Sequence, residues 1–203
     1  MKYRAVLFDF DGVVANSLWF YRHTWEQFIA KSNLPLSSSV FEKEGFFTKS
    51  LEQVCIIIEQ TLMAEGLECD PTLIPFLEYC KKQNIKIAIG SNSGMRRIMW
   101  VLEKIGIESY FLHHPEYPER WYNIVSANDI THHKPDPEVW IRCAEILEVQ
   151  PNECLIIEDG LPGLTGAKQC SAHTVYYHRF RKPEKACIEL AEKSVESFSE
   201  LFE

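Results

Sequence analysis

An apolar run, Ala5-Val6-Leu7-Phe8, leads straight into Asp9, with Asp11 two residues on. Three more polar groups repeat that kind of placement. Ser91 and Asn92 follow Ile85-Lys86-Ile87-Ala88-Ile89, Glu158 and Asp159 follow Cys154-Leu155-Ile156-Ile157, and Lys134 lies in the loop His132-His133-Lys134-Pro135-Asp136-Pro137 ahead of a helix. Each has a structural reading when taken singly. Asp11-Gly12 suits a turn, and Ser91 or Ser93 could cap the next helix, Ser93 being the better placed. Lys134 reads by default as solvated, Asp136 as the N-cap of a helix beginning at Pro137, and Glu158-Asp159-Gly160 as an acidic turn favoured by the helix after it. The coincidence of all of them beyond strand ends makes the purely structural reading the weaker one.

Several carboxylates meeting at one edge repel one another by on the order of 4 kcal/mol per pair at ~4 Å and an effective dielectric near 20. A bound cation removes that objection. No His/Cys ligand pattern accompanies the acids, so an all-oxygen site predicts a hard ion, Mg2+. The pairs His113-His114 and His132-His133 lie in polar loops and read as solvated. A metal, a lysine, a serine hydroxyl and backbone N–H groups at helix starts together describe a phosphoryl-binding site. On such a site one aspartate can attack phosphorus while its neighbour moves protons, and Lys134 offsets charge.

The elements that must carry these residues alternate. Leu73, Ile74, Leu77 and Cys80 share a helical face after Asp70-Pro71, where Asp70 reads as the cap; Met95, Ile98, Met99, Leu102 and Ile105 share another that stops at Gly106. Asn123-Ile124-Val125-Ser126 and His173-Thr174-Val175-Tyr176-Tyr177 read as strands. Trp140, Cys143, Ala144 and Leu147 line a helix, and Ser197 with Glu200 forms a capping box near the end. Strands alternating with amphipathic helices predict an α/β fold, a doubly wound parallel sheet with ligands bound beyond the carboxyl ends of its strands. Residues 16–70 break the alternation with two helical stripes, Trp19, Tyr21, Trp25, Phe28 and Ile29, then Leu51, Val54, Cys55, Ile58 and Leu62. They predict a small helical insertion, leaving 1–15 and 71–203 as the core. Residues 112–120 read as additional surface loop.

The chain's 203 residues, 46% hydrophobic, suit one domain with such an insertion. Its formal charge of -8 is the wrong sign for a partner that is nucleic acid. Seven cysteines without a CxxC pair predict reduced, packed thiols, as in the cytosol. No apolar stretch reaches the ~18 residues of a membrane span, and no signal-peptide core is evident, so a cytoplasmic protein without a membrane partner is expected. Nothing in the sequence bears on oligomeric state.

With those residues in view, the chain resembles the haloacid dehalogenase-like (HAD) superfamily over nearly its whole length. The matching motifs are Asp9-Phe10-Asp11-Gly12-Val13-Val14, Ser91-Asn92-Ser93, Lys134-Pro135-Asp136-Pro137 and Ile156-Ile157-Glu158-Asp159, in that order. The resemblance implies a Rossmann-like core. It implies Asp9 as nucleophile forming an aspartyl-phosphate, Asp11 as general acid and base, Ser91 with Asn92 and Lys134 as phosphate contacts, and Lys134 as the charge beside the nucleophile. It further implies Mg2+ held by Asp9, the Asp11 carbonyl and Asp159, with Glu158 a ligand or next to one. The insertion resembles the helical cap of the phosphoglycolate phosphatase and beta-phosphoglucomutase group, which selects substrate; Arg22, His23 and Lys49 are its candidate contacts. Asn16-Ser17 stands where that group commonly has Asp-Ser, and no arginine occurs in Gly45-Phe46-Phe47-Thr48-Lys49-Ser50.

The implied activity is Mg2+-dependent phosphatase action on a small phosphorylated metabolite. Asp11 favours phosphate esters over haloacids, because a halide leaving group needs no proton and an alkoxide does. A sugar-phosphate mutase is the alternative enzyme. A phosphoacceptor signalling domain or a silent binding protein on the same fold fits less well, since the nucleophile candidate follows the first strand and every reactive residue is present.

Overall fold

A strand buried on both faces and flanked by two others has no place for polar side chains, and Ala5–Phe8 (β1) meets that condition with all four residues fully buried. The computed structural model describes residues 2–16, 69–112 and 122–202. The chain divides into two compact units, Met1–Ala15 with Cys69–Glu203, and Asn16–Glu68. The helical reading of 16–70 and the candidate residues Arg22, His23 and Lys49 fall outside the described residues, as do Cys55 and the loop 113–121.

After β1 the described elements of the first unit are α1 (Leu73–Lys82), β2 (Lys86–Gly90), α2 (Met95–Ile105), β3 (Ile124–Val125), α3 (Glu138–Ile146), β4 (Cys154–Glu158), α4 (Leu161–Gln169), β5 (His173–Tyr177), α5 (Lys185–Leu190) and β6 (Lys193–Val195). The strands form one parallel sheet in the order β3-β2-β1-β4-β5-β6, so β1 is central and the topology reverses beside it. The expected α/β class and parallel sheet are what the chain adopts. The sheet gains α5 and β6, which the sequence pattern did not predict: six and three residues are too short for a periodicity to register, and Lys193-Ser194-Val195 lies at the edge.

Helices cover both faces. On one, Trp140, Cys143 and Ala144 of α3 pack with Ala5, Leu7, Ala88 and Ile156. On the other, Phe8 meets Phe76, Phe111 and Phe198 with ring centroids about 6 Å apart, the first two edge to face and the third tilted. The α1 face is Leu73, Phe76, Leu77 and Cys80, whereas Ile74, expected inside, is exposed. The six described cysteines are unbonded thiols.

Helix starts differ from the expected caps. Thr72, not Asp70, occupies the cap position of α1; Asp70 accepts from the backbone and hydroxyl of Thr72 and from the Tyr177 hydroxyl at 2.8 Å, which makes it a buried tie rather than a cap. Pro137, not Asp136, precedes α3, and Asp136 Oδ1 accepts the Glu138 N–H. Gly94 takes the cap position of α2, while Ser93 turns elsewhere. Gly106 in the left-handed region ends α2 as expected, and Ser197 with Glu200 forms its capping box around the short turn Phe198–Leu201. No helix among the described residues is long and apolar enough to cross a membrane.

Candidate active site

Parallel register brings the site together. Phe8 pairs with Ile89 on one side and Ile157 on the other, so Asp9, Gly90 and Glu158 emerge at the same level from three adjacent strands. The Asp9 N–H extends the ladder to Ile157 O at 2.9 Å, and the Ser91 N–H does the same to Val125 O. Just beyond, Gly12 takes φ of 85°, a left-handed conformation in which a side chain would be strained, and its N–H bonds Ala15 O. That turn sends the chain away from the sheet edge and leaves Asp11 at the rim.

Lys134 is the link between strands. Its ammonium donates to Asp9 Oδ1 at 2.6 Å and to Glu158 Oε2 at 2.8 Å with only 6% of the side chain exposed. The Trp140 ring lies beneath it, 4.1 Å from Nζ to the centroid, and is itself fixed by its indole N–H on Gly163 O. Burial works against the lysine's charge, but Asp9 and Glu158 outweigh it and hold the ammonium above its ordinary range. Its backbone N–H donates to Asn92 Oδ1, which joins the lysine loop to the end of β2.

Oxygens of Asp9, Glu158 and Asp159 all lie within 4.8 Å of one another, and all three residues are buried. Burial, then the charge of Glu158, pushes Asp9 up to about 7, with Lys134 pulling the other way. Asp159 is likewise raised well above the carboxylate range by burial, Glu158 and Asp9, against Arg181. Three carboxylates thus face two cations, Lys134 and Arg181, and burial first, then the uncompensated negative charge, resists ionisation of Asp9 and Asp159. An all-oxygen donor set with surplus negative charge fits a small hard dication and no soft metal. Glu158 is held from behind as well, accepting the N–H groups of Asp159 and Gly160.

The model of the haloacid dehalogenase-like hydrolases matches residues 3–171. This chain belongs to that family. Among curated relatives, a phosphorylated carbohydrates phosphatase of Thermotoga maritima is 24% identical over 190 residues, covering 85% of this chain and 83% of its own. A beta-phosphoglucomutase of Bacillus subtilis is 24% identical over 195 residues, covering 85% and 82%. A solved structure of a HAD hydrolase, family IA, variant 3, from Entamoeba histolytica superposes with a TM-score of 0.81 at 18% identity, covering 98% of this chain and 95% of that one. That likeness is one of fold.

In this hydrolase the described candidates Asp9, Asp11, Ser91, Asn92, Lys134, Glu158 and Asp159 all stand at the carboxyl edge of the sheet. Ser91 is buried, and its hydroxyl accepts the Ser93 N–H at 3.0 Å. Ser93 is not the expected helix cap; its hydroxyl donates to Asp11 Oδ2 at 2.6 Å. Two arginines escaped the sequence reading. Arg97 grips Asp11 with both terminal nitrogens, and Arg181 donates to the carbonyl and to Oδ2 of Asp159 at 2.8 and 3.0 Å. Arg97 on an amphipathic helix and Arg181 in a basic loop carry no spacing signal, since each meets an acid far away in sequence. His132, expected to be solvated, is exposed but touches Glu138 at 3.1 Å, and with Asp136 their donor atoms cluster. Glu138 is already taken by the N–H groups of Thr131 and His132 and by Arg142, so it closes the loop ahead of α3.

Proposed function

We propose that this hydrolase is a Mg2+-dependent phosphatase acting on a small phosphorylated metabolite through an aspartyl-phosphate on Asp9. The observation that carries the reading is Lys134 seated between Asp9 and Glu158, with Asp159 completing the carboxylate cluster. The phosphorylated carbohydrates phosphatase among its relatives supports a sugar phosphate as substrate. Asp9, Asp159, Glu158 and the Asp11 carbonyl are the residues that would hold the cation. Bound there, Mg2+ would offset the carboxylates and draw charge from a phosphoryl oxygen.

The chain's own groups do the rest. A carboxylate oxygen of Asp9 attacks phosphorus, the ester P–O bond breaks, and the departing alcohol oxygen takes a proton from Asp11. In the second half a water oxygen attacks phosphorus and its proton passes to Asp11. The P–O bond to Asp9 then breaks and inorganic phosphate leaves. Lys134 keeps Asp9 oriented through the 2.6 Å hydrogen bond and places positive charge beside the transferring group. Ser91 and Asn92 bind phosphoryl oxygens. With Asn92 Oδ1 committed to the Lys134 backbone, its amide N–H groups are the donors it can offer. The insertion 16–70 acts as the substrate-selecting cap, with Arg22, His23 and Lys49 as contacts.

The beta-phosphoglucomutase relative keeps a second reading in view, transfer within a sugar phosphate. One assay separates the two: hexose phosphates with Mg2+, scored for released phosphate and for positional isomers. Net phosphate release is expected. Asp9→Asn should reduce hydrolysis of both sugar and aryl phosphates to background, and a variant that kept its Mg2+-dependent rate would overturn the covalent route.

A further inference from the structure

Asp11 is held more elaborately than a residue at a turn needs to be. The Arg97 guanidinium spans its carboxylate, one terminal nitrogen on Oδ1 and the other on Oδ2 at 3.3 Å. The second nitrogen also donates to Ser93 Oγ at 2.7 Å, and that hydroxyl donates on to Oδ2 at 2.6 Å. Arg97 Cζ lies 6.0 Å from the centroid of the Phe10 ring, and Phe10 is fully buried. About a fifth of each partner's side chain is exposed, so the cluster sits at the rim of the site.

We infer that Arg97 is a positioning residue for Asp11, with Ser93 as the bridge. It sets the direction in which Asp11 presents its carboxyl to the leaving-group oxygen; the inference rests on the reading of Asp11 as the acid and base of phosphate-ester hydrolysis. Such a hold on Asp11 has a local reason, because Gly12, at φ of 85°, turns the chain away from the sheet edge immediately after it. Proton transfer needs heavy atoms ~2.6 to 3.2 Å apart, and a misplacement of about 1 Å can cost on the order of a hundredfold in rate. The planar fork of an arginine defines a carboxylate plane, which a lysine cannot do. In this state both terminal nitrogens of Arg97 are engaged by Asp11 and Ser93, which argues against the guanidinium serving as the phosphate's own ligand.

The experiment uses the full chain with Mg2+ and two substrates, an alkyl phosphate with a poor leaving group and p-nitrophenyl phosphate with a good one. Arg97→Met, Arg97→Lys, Ser93→Ala, Asp11→Asn and the double variant Arg97→Met/Asp11→Asn are compared, each first checked for an unchanged thermal melt. Arg97→Met should lose about a hundredfold in kcat on the alkyl ester and under about tenfold on the aryl ester, with KM little changed. Arg97→Lys should recover part of that loss, and Ser93→Ala should show a smaller loss of the same pattern. The double variant should be no slower than Asp11→Asn alone, because both changes remove the same proton transfer. If Arg97→Met slows both esters equally, raises KM instead, or multiplies with Asp11→Asn, the positioning role is wrong. If Asp11→Asn itself ignores the leaving group, the reading of Asp11 falls and the inference with it. Leaving-group dependence in Asp11→Asn but not in Arg97→Met overturns the inference alone.

Discussion

Asp9 is asked to carry a negative charge where burial and Glu158 both oppose it, and Lys134 meets only part of that demand. The consequence for stability has a definite sign. A carboxylate raised from 3.8 to about 7 on folding means that the folded chain binds more protons than the unfolded one in that interval. The penalty is absent below the unfolded value and fully developed above about 7, so the metal-free protein loses stability as pH rises through this window. Urea melts in chelator at pH 5 and pH 8 check this. Asp9→Asn should flatten the pH dependence relative to the parent chain, and an unchanged slope would show that Asp9 ionises without strain. The acids and Ser91 at this site were legible from sequence because each lies at the end of an apolar run, and Lys134 because it stands in the polar loop ahead of a helix. Their partners Arg97 and Arg181 were not, because 86 and 22 residues separate them from the acids they hold and only the folded chain supplies that proximity.

Between elements, one close approach governs the carboxylate cluster. Gly163, in the first turn of α4, lies so near the end of β4 that an added Cβ would stand 1.9 Å from Glu158 Oε2. The glycine is therefore what allows the helix to run beside Glu158, while its carbonyl receives the Trp140 indole. Gly163→Ala must push Glu158 off Lys134 or shift α4, and such overpacking costs about 1 to 3 kcal/mol. A denaturant melt should show that loss, and a Mg2+ titration by calorimetry should show weakened binding; full retention of both would mean that Glu158 has room to spare. Strand ends were readable from apolar runs stopping at acids or serines, but helix starts were not. Asp70, Ser93 and Asp136 are all good caps by type, yet each is drawn to a different partner: Tyr177 and Thr72, Asp11, and the Glu138 N–H beyond Pro137. For Ser93 and for the Asp70–Tyr177 bond local preference yields to a tertiary contact, whereas Asp136 keeps a local bond two residues on.

At the scale of the whole molecule, three buried carboxylates at one sheet edge predict that a dication will act as a stabilising ligand of the folded chain. Mg2+ at a hundred times its Kd should contribute about 2.7 kcal/mol, which for a protein of this size raises Tm by roughly 5 to 10 °C. The shift should appear at pH 8, shrink near pH 5.5 where Asp9 holds its proton, and vanish in Asp159→Asn; a thermal scan that shows no Mg2+ effect at pH 8 would count against a metal centre here. The alternation of apolar strands with amphipathic helices, and four motifs each placed beyond a strand, determined by themselves the fold class, the family resemblance and the acids at the site, because hydrophobic periodicity and turn chemistry are local. Only the tertiary structure decided that β1 lies between β2 and β4, that Lys134 reaches both Asp9 and Glu158, and that Arg97 and Ser93 hold Asp11. Those contacts depend on strand order and register, which arise when the sheet buries its two faces and which no spacing along the chain encodes.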